Sequence, residues 1–101
     1  MDISWENETD GVDVLSLSGK LNSESIAVFR NEVERFFEFS KSDLYLDVGD
    51  LIHLDSIGMG VLIFFHTQFQ ETGRKLVFRT LSDEIEKIFD LTSLNKVLHI
   101  I

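Results

Sequence analysis

Short apolar runs predict five strands along this chain. Alternating apolar and polar positions are typical of strands that bury one face, and continuous apolar runs are typical of strands buried on both faces. A polar turn at residues 7–11 separates the first two runs, so we expect these two strands to pair as a hairpin. The predicted strands lie at residues 3–6, 12–18, 44–48, 75–80 and 97–101.

Apolar residues spaced three and four positions apart predict three helices between these strands. We expect Asn22 or Ser23 to cap the first helix. The second helix is expected over about residues 57–72, with Gly73 ending it, and Ser82 is expected to cap the short third helix. The expected core residues are Ile26, Phe29, Val33, Phe36 and Phe37 in the first helix, Gly58, Val61, Leu62, Phe65 and Phe69 in the second, and Ile85, Ile88 and Phe89 in the third.

The alternation of strands and helices predicts an α/β fold with a mostly parallel sheet and flanking helices. The N-terminal hairpin adds an antiparallel edge strand. The sequence has 101 residues, no proline and no low-complexity linker, which indicates a single domain over residues 1–101.

The segment over residues 51–62, Leu-Ile-His-Leu-Asp-Ser-Ile-Gly-Met-Gly-Val-Leu, carries the candidate chemistry. An apolar run ends at Asp55 and Ser56, and a glycine-flanked turn then opens the second helix. Unpaired N–H groups and the positive end of the helix dipole tolerate a phosphate well at such a position. Ser56 is therefore either a phosphorylation site or a plain N-cap, since serine is a favoured capping residue. Asp55 either acts as a base toward Ser56 or orients the turn through a hydrogen bond.

Four residues of the second helix lie opposite its expected core face: Met59, Ile63, His66 and Gln70. Met59 and Ile63 would then be exposed apolar side chains beside Ser56. Single exposed apolar residues are normal on protein surfaces, but methionine adapts well to partner surfaces. Met59 and Ile63 therefore form either a docking patch or an ordinary surface.

Composition limits the classes of partner. The formal net charge is −9 at pH 7, which disfavours nucleic acid and anionic membranes and favours a basic protein partner. No apolar run approaches the ~20 residues of a membrane-spanning helix, and no secretory signal pattern is seen at the N-terminus. The sequence has no cysteine, which is compatible with a reducing cytoplasm.

Patterns typical of enzymes and metal sites are weak or missing from the sequence. Leu54 stands where a nucleophile elbow around Ser56 needs glycine, and no phosphate-binding loop motif is present. His53 and Asp55 are two residues apart, but a zinc site needs at least a third protein ligand. We therefore expect no catalytic residue, no cofactor and no metal.

The segment Asp55-Ser56-Ile57-Gly58-Met59-Gly60-Val61 resembles the Asp-Ser-Ser-Gly-Leu-Gly-Val core of STAS domains. It is most similar to that of the stand-alone anti-sigma-factor antagonists of bacteria. Residues 15–22, 44–48 and 88–97 also resemble family segments, so the likeness spans about residues 12–100.

The resemblance implies a binding protein of the bacterial cytoplasm that is controlled by phosphorylation. Its partner would be a protein that is both serine kinase and anti-sigma factor, and that phosphorylates Ser56. The unmodified antagonist would bind this partner, phosphorylation would break the complex, and a serine phosphatase would restore it. The free protein is expected to be a monomer. From the resemblance and from the predicted exposed face of the second helix, the expected partner-binding residues are Asn22, Asp55, Ser56, Ile57, Gly58, Met59 and Ile63.

The sequence departs from the family pattern at three places. Asn22 stands where many members have aspartate, and Ile57 replaces a second serine, so Ser56 is the only hydroxyl in the motif. The chain ends at Ile101, where many members continue into another helix. The first and third departures leave an alternative function: a STAS subunit of another assembly, such as a stress-signalling scaffold or a lipid-transporter accessory subunit, that need not use the serine.

Overall fold

The computed structural model describes residues 1–7 and 11–101. The predicted hairpin turn at residues 7–11 therefore lies mostly outside the described residues. The strands are β1 (Asp2–Asn7), β2 (Asp13–Leu21), β3 (Leu44–Leu54), β4 (Leu76–Arg79) and β5 (His99–Ile100). The helices are α1 (Ile26–Phe39), α2 (Ser56–Glu71) and α3 (Asp83–Thr92), and a 3₁₀ turn spans Leu94–Lys96.

The sheet has the strand order β1-β2-β3-β4-β5. The β1–β2 pair is antiparallel, and the three following pairs are parallel. The predicted α/β class, with a mostly parallel sheet and an N-terminal antiparallel pair, is confirmed. Each crossover helix joins a strand to its next neighbour in the same direction, and right-handed crossovers of this kind place all their helices on one face of the sheet.

The core lies between that face and the helices. Leu15, Leu46 and Phe78 stand in register on β2, β3 and β4, and all three are fully buried in the core cluster. Phe29 of α1 packs edge-on against Phe65 of α2, with 6.0 Å between ring centroids. Edge-to-face packing of this kind adds to the stabilisation from apolar burial. The predicted core residues of α2 are confirmed as buried: Gly58, Val61, Leu62, Phe65 and Phe69.

Strands β2 and β3 are longer than predicted. β3 does not end at Val48 but continues to Leu54, and the expected break at Gly49 and Asp50 lies inside it. The reason is continued parallel pairing with β2, which runs past Gly19 to Leu21 through two register shifts. Gly19 has φ +94°, a conformation that favours glycine. The extension carries both strands up to the start of α2.

Helix α1 begins later than predicted, at Ile26. The Asn22 side-chain oxygen accepts hydrogen bonds from the N–H groups of Glu24 (3.0 Å) and Ser25 (3.3 Å). An asparagine that bonds the backbone two residues on closes a local turn. Asn22 therefore shapes the turn before the helix. The N-cap is Ser25, so the predicted capping positions, Asn22 or Ser23, were wrong by three or two residues.

Candidate functional site

Asp55 caps the N-terminus of α2. Its Oδ1 accepts a hydrogen bond of 2.8 Å from the N–H of Gly58, and its carbonyl oxygen accepts one of 2.9 Å from the N–H of Met59. An aspartate in this position satisfies an otherwise unpaired N–H and complements the helix dipole. The interpretation of Ser56 as the plain N-cap is therefore wrong, and the interpretation of Asp55 as the residue that orients the turn is confirmed.

Ser56 is the first residue of α2 and is exposed to solvent. Within the described part of the chain, its hydroxyl has no hydrogen-bond partner, and Asp55, not Ser56, accepts from the N–H of Gly58. The hydroxyl lies at the positive end of the helix dipole. A group added to its oxygen would extend into solvent without displacing a structural hydrogen bond.

Gly58 holds the start of α2 against the ends of β2 and β3. A Cβ at Gly58 would lie 2.7 Å from the carbonyl oxygen of Leu21 and 2.7 Å from Cδ1 of Leu54. The N–H of Asp55 donates a hydrogen bond of 3.3 Å to the same Leu21 oxygen. Gly58 is thus required for close backbone approach, and because it is buried it shapes the site from inside.

Gly60 differs from Gly58, because no packing contact requires a glycine at position 60. A Cβ built at Gly60 meets no atom within 4 Å outside the helix's own backbone and its chain neighbours. Glycine in a helix costs about 1 kcal/mol relative to alanine. Gly60 therefore leaves an open gap on the exposed face of α2.

Two exposed apolar side chains of α2, Ile57 and Phe64, line the hollow at this gap. Ile57 is 50% exposed, Phe64 is 51% exposed and Ile63 is 39% exposed. Phe64 was missed by sequence reasoning, although residues 57, 60 and 64 recur at the spacing of one helix face. The exposed apolar patch beside Ser56 is therefore centred on Ile57 and Phe64.

Two expectations for the outer face of α2 were wrong. Met59 is half-buried and packs against the core cluster. His66 is buried, and its ring lies 5.3 Å from the ring of His99, centroid to centroid. The reason is that α2 has a neighbour on each side, α1 through Phe65 and the β5 strand through His66, so its buried arc is wider than the sequence pattern predicted.

Of the expected partner-binding residues, Asn22 and residues 55–59 lie where β2 ends and α2 begins, and Ile63 lies about two turns into α2. Only some of them are accessible. Ser56, Ile57 and Ile63 are exposed, and Asp55 and Asn22 are half-buried. Asn22 directly follows Leu21, whose carbonyl oxygen accepts the Asp55 N–H. The end of β2 and the start of α2 therefore form one continuous surface.

His66 is a buried polar residue outside this surface. Burial, and secondly the charge of nearby His99, lowers the pKa of His66 below the ordinary histidine value. Its Nδ1 has no hydrogen-bond partner within the described residues. His66 is therefore held in its neutral form around neutral pH.

The described residues show neither a cluster of metal ligands nor a membrane-spanning helix. Residues 1–7 and 11–101 contain no group of three or more His, Cys, Asp or Glu side chains placed to hold a metal ion. None of the helices in this part of the chain is long and apolar enough to cross a membrane.

A family comparison identifies the fold. The model of the STAS domain family matches residues 6–101. This chain belongs to the STAS domain family. The protein named anti-sigma-B factor antagonist from Bacillus subtilis (strain 168) is 27% identical to this STAS chain over 95 residues, which are 94% of this chain and 84% of that protein.

Solved structures agree with this assignment at the level of the fold. The crystal structure of a Thermotoga maritima protein described as a candidate anti-sigma factor antagonist superposes with a TM-score of 0.85 at 21% identity, over 97% of this chain and 84% of that one. The anti-sigma factor antagonist SpoIIAA in its unphosphorylated form superposes with a TM-score of 0.69 at 16% identity, over 95% of this chain and 97% of that one.

Proposed function

We propose that this STAS chain is an anti-sigma-factor antagonist that binds a serine-kinase anti-sigma factor and is switched off by phosphorylation of Ser56. The names of similar proteins support the general function. The observation that carries the switch is the exposed hydroxyl of Ser56 at the first turn of α2, which has no hydrogen-bond partner among the described residues. Asp55, not Ser56, caps the helix, so the hydroxyl is free to react.

The chemistry of the switch is a phosphoryl transfer catalysed by the partner. The γ-phosphoryl group of ATP moves to Ser56 Oγ, ADP leaves, and a base on the kinase takes the hydroxyl proton. The reverse step is hydrolysis by a serine phosphatase, which releases inorganic phosphate and restores the hydroxyl.

Electrostatics and desolvation explain how the phosphate would act. Phosphoserine carries about −1.5 to −2 charges at pH 7. At an interface it would lie beside the carboxylate of Asp55 and the apolar side chain of Ile57, so it would be repelled or would have to be desolvated at high cost. In the free protein the phosphate would be solvated and favoured by the helix dipole. Phosphorylation is therefore expected to weaken the complex without a change of fold, and the free protein is expected to be a monomer.

The test uses the purified serine-kinase anti-sigma factors of the organism that encodes this chain. Incubation with ATP should add one phosphate to the wild type and none to Ser56→Ala, as measured by mass spectrometry. Ser23→Ala is the matched control, because Ser23 is also exposed and precedes the neighbouring helix α1. Ser56→Ala should bind the kinase, whereas Ser56→Asp should bind more weakly.

Two outcomes would contradict the proposal, and a third would favour the alternative function. Phosphate that persists in Ser56→Ala would place the acceptor elsewhere. Equal kinase binding by the phosphorylated and unmodified proteins would refute the switch. A Ser56 that stays unmodified in cells under all growth conditions would favour a role as a STAS subunit of another assembly.

A further inference from the structure

We propose that a groove between α1 and α2 binds a helical segment of the partner, with an apolar side chain of that segment seated over Gly60 and basic side chains facing Glu34 and Glu38. This inference rests on the proposed function, because it takes the occupant of the groove to be a protein partner. It adds where the partner binds and what chemistry it presents.

The groove begins next to Ser56. Its first half, which we call the Gly60 hollow, is lined by Arg30 and Glu34 of α1 and by Ile57, Gly60, Val61 and Phe64 of α2. The floor is apolar at Ile57, Val61 and Phe64. The missing side chain at Gly60 leaves room for an incoming side chain of the partner.

The groove continues past Phe64 and Glu34, which also line the next hollow together with Glu38 and Gln68. The lining of α2 thus runs from residue 57 to residue 68, which is about 16 Å at 1.5 Å per residue. This length accommodates about three turns of a helix. Helices bind such grooves through apolar residues spaced three and four positions apart.

Gly60 provides the evidence that the hollow is used. Within the described residues, nothing in the packing of the free protein forbids a side chain at this position, in contrast to Gly58. An alanine there would be favoured by helix propensity. The gap has a physical explanation if a partner side chain fills it.

Charge complementarity identifies the chemistry of the occupant. Glu34 and Glu38 are exposed, lie one turn apart on α1 and line the half of the groove distant from Ser56. The chain as a whole carries a net charge of −9, so a second copy or an anionic membrane would be repelled. Arg30 is the cation at the Ser56 end of the groove. The occupant should therefore place its basic residues toward Glu38 and a neutral or acidic group toward Arg30.

The experiment uses two fluorescein-labelled peptides of about 18 residues with leucine at helical spacing. One carries lysine at the flanking positions, and the other carries glutamate there. Fluorescence anisotropy should show that the wild type binds the lysine peptide at least about tenfold more tightly than the glutamate peptide.

Two pairs of variants locate the binding site. Gly60→Leu should weaken binding of the lysine peptide at least about tenfold, whereas Gln70→Leu, at another exposed position of α2, should leave it unchanged. The double variant Glu34→Lys with Glu38→Lys should reverse the peptide preference. Glu84→Lys with Glu86→Lys on α3 makes the same change in net charge at exposed positions and should not reverse it.

The outcomes are decisive for the groove. The proposed groove would be overturned if neither peptide binds with a dissociation constant of about 1 mM or lower, which is near the weak limit of specific binding. The groove would also be overturned if Gly60→Leu and Gln70→Leu bind the lysine peptide equally well. It would likewise be overturned if the α3 double variant loses the preference for the lysine peptide to the same extent as the α1 double variant.

The experiments distinguish an error in the groove proposal from an error in the proposed function. If only the groove is wrong, the peptides give one of the negative results above while the kinase still phosphorylates Ser56. If only the switch is wrong, Gly60→Leu still loses the lysine peptide while Ser56 stays unmodified by the kinases.

Discussion

Gly49 of β3 lies directly against Thr80, which follows β4: a Cβ added to Gly49 would be 2.8 Å from Cγ2 of Thr80 and 3.0 Å from its carbonyl oxygen. Thr80 has φ +57°, a left-handed conformation that is unfavourable for a β-branched residue. Gly49 in β3 thus permits the close approach of the strained residue Thr80, which follows β4. This pair lies at the point where β3 continues beyond its pairing with β4.

We expect Thr80→Gly to stabilise the domain. Left-handed backbone costs a non-glycine residue about 1–2 kcal/mol, and the added entropy of glycine in the unfolded chain offsets about half of this gain. The free energy of unfolding, measured by urea denaturation, should therefore rise by about 0.5–1 kcal/mol. A decrease would mean that the Thr80 side chain makes a stabilising contact greater than its backbone strain.

Gly49→Ala should destabilise the domain by about 1–3 kcal/mol, because the new Cβ overlaps Thr80. The same substitution combined with Thr80→Gly should cost less, because Cγ2 is removed while the carbonyl oxygen remains. A double-mutant cycle should give a coupling of at least about 0.5 kcal/mol. Strict additivity of the two substitutions would contradict the contact.

Removal of the Asp55 cap should weaken α2. Asp55→Ala leaves the Gly58 N–H without its 2.8 Å partner and should lower the free energy of unfolding by about 0.5–2 kcal/mol. Asp55→Asn is the matched control, since asparagine caps helices about as well as aspartate. If Asp55→Asn is as destabilising as Asp55→Ala, the charge of the carboxylate and not the hydrogen bond is the main contribution.

The neighbouring residues Phe64 and Phe65 test the assignment of the α2 faces. Phe65 is 2% exposed, so Phe65→Ala should cost about 3–5 kcal/mol of stability. Phe64 is half exposed, so Phe64→Ala should cost much less while removing part of the floor of the Gly60 hollow. Chemical denaturation of both variants measures the difference. Equal destabilisation by the two substitutions would show that the helix is rotated from the orientation described.

The sequence predicted the element order, the sheet class and the core face of α2. The reason is that strand alternation and helical spacing show which side chains are buried between the sheet and the layer of helices. It did not predict the burial of His66 and Met59, because burial by side neighbours depends on which helices and strands lie beside α2. The exposed position that the sequence pattern predicts for Met59 would leave Met59→Lys near wild-type stability while removing partner binding. Because Met59 packs against the core cluster, Met59→Lys is now expected to destabilise the core.

The site was predicted as a segment but not in detail. Asp55 and Ser56 were correctly located at the start of α2, whereas the assignment of the cap to one of them needed the Asp55–Gly58 hydrogen bond. The different roles of Gly58 and Gly60 depend on distances to β2 and β3, which sequence spacing does not contain. Phe64 was overlooked because it is adjacent to the core residue Phe65.

The buried His66 should make stability depend on pH. Its folded-state pKa lies below the ordinary histidine value of 6.5, so the unfolded chain binds more protons in this range than the folded chain. Stability is therefore lost as pH falls through about 6.5 toward the lowered pKa. Urea denaturation from about pH 8 to about pH 5.5 should show a falling free energy of unfolding in wild type.

Three variants assign this pH dependence to its cause. His66→Gln should flatten the loss of stability between about pH 8 and about pH 5.5, whatever its effect at high pH. His99→Gln should reduce the loss only in part, because burial contributes more than the His99 charge to the lowered pKa of His66. His53→Gln is the control for loss of an exposed histidine away from the His66–His99 pair. A profile in His66→Gln that parallels the wild type would show that another group titrates in this range.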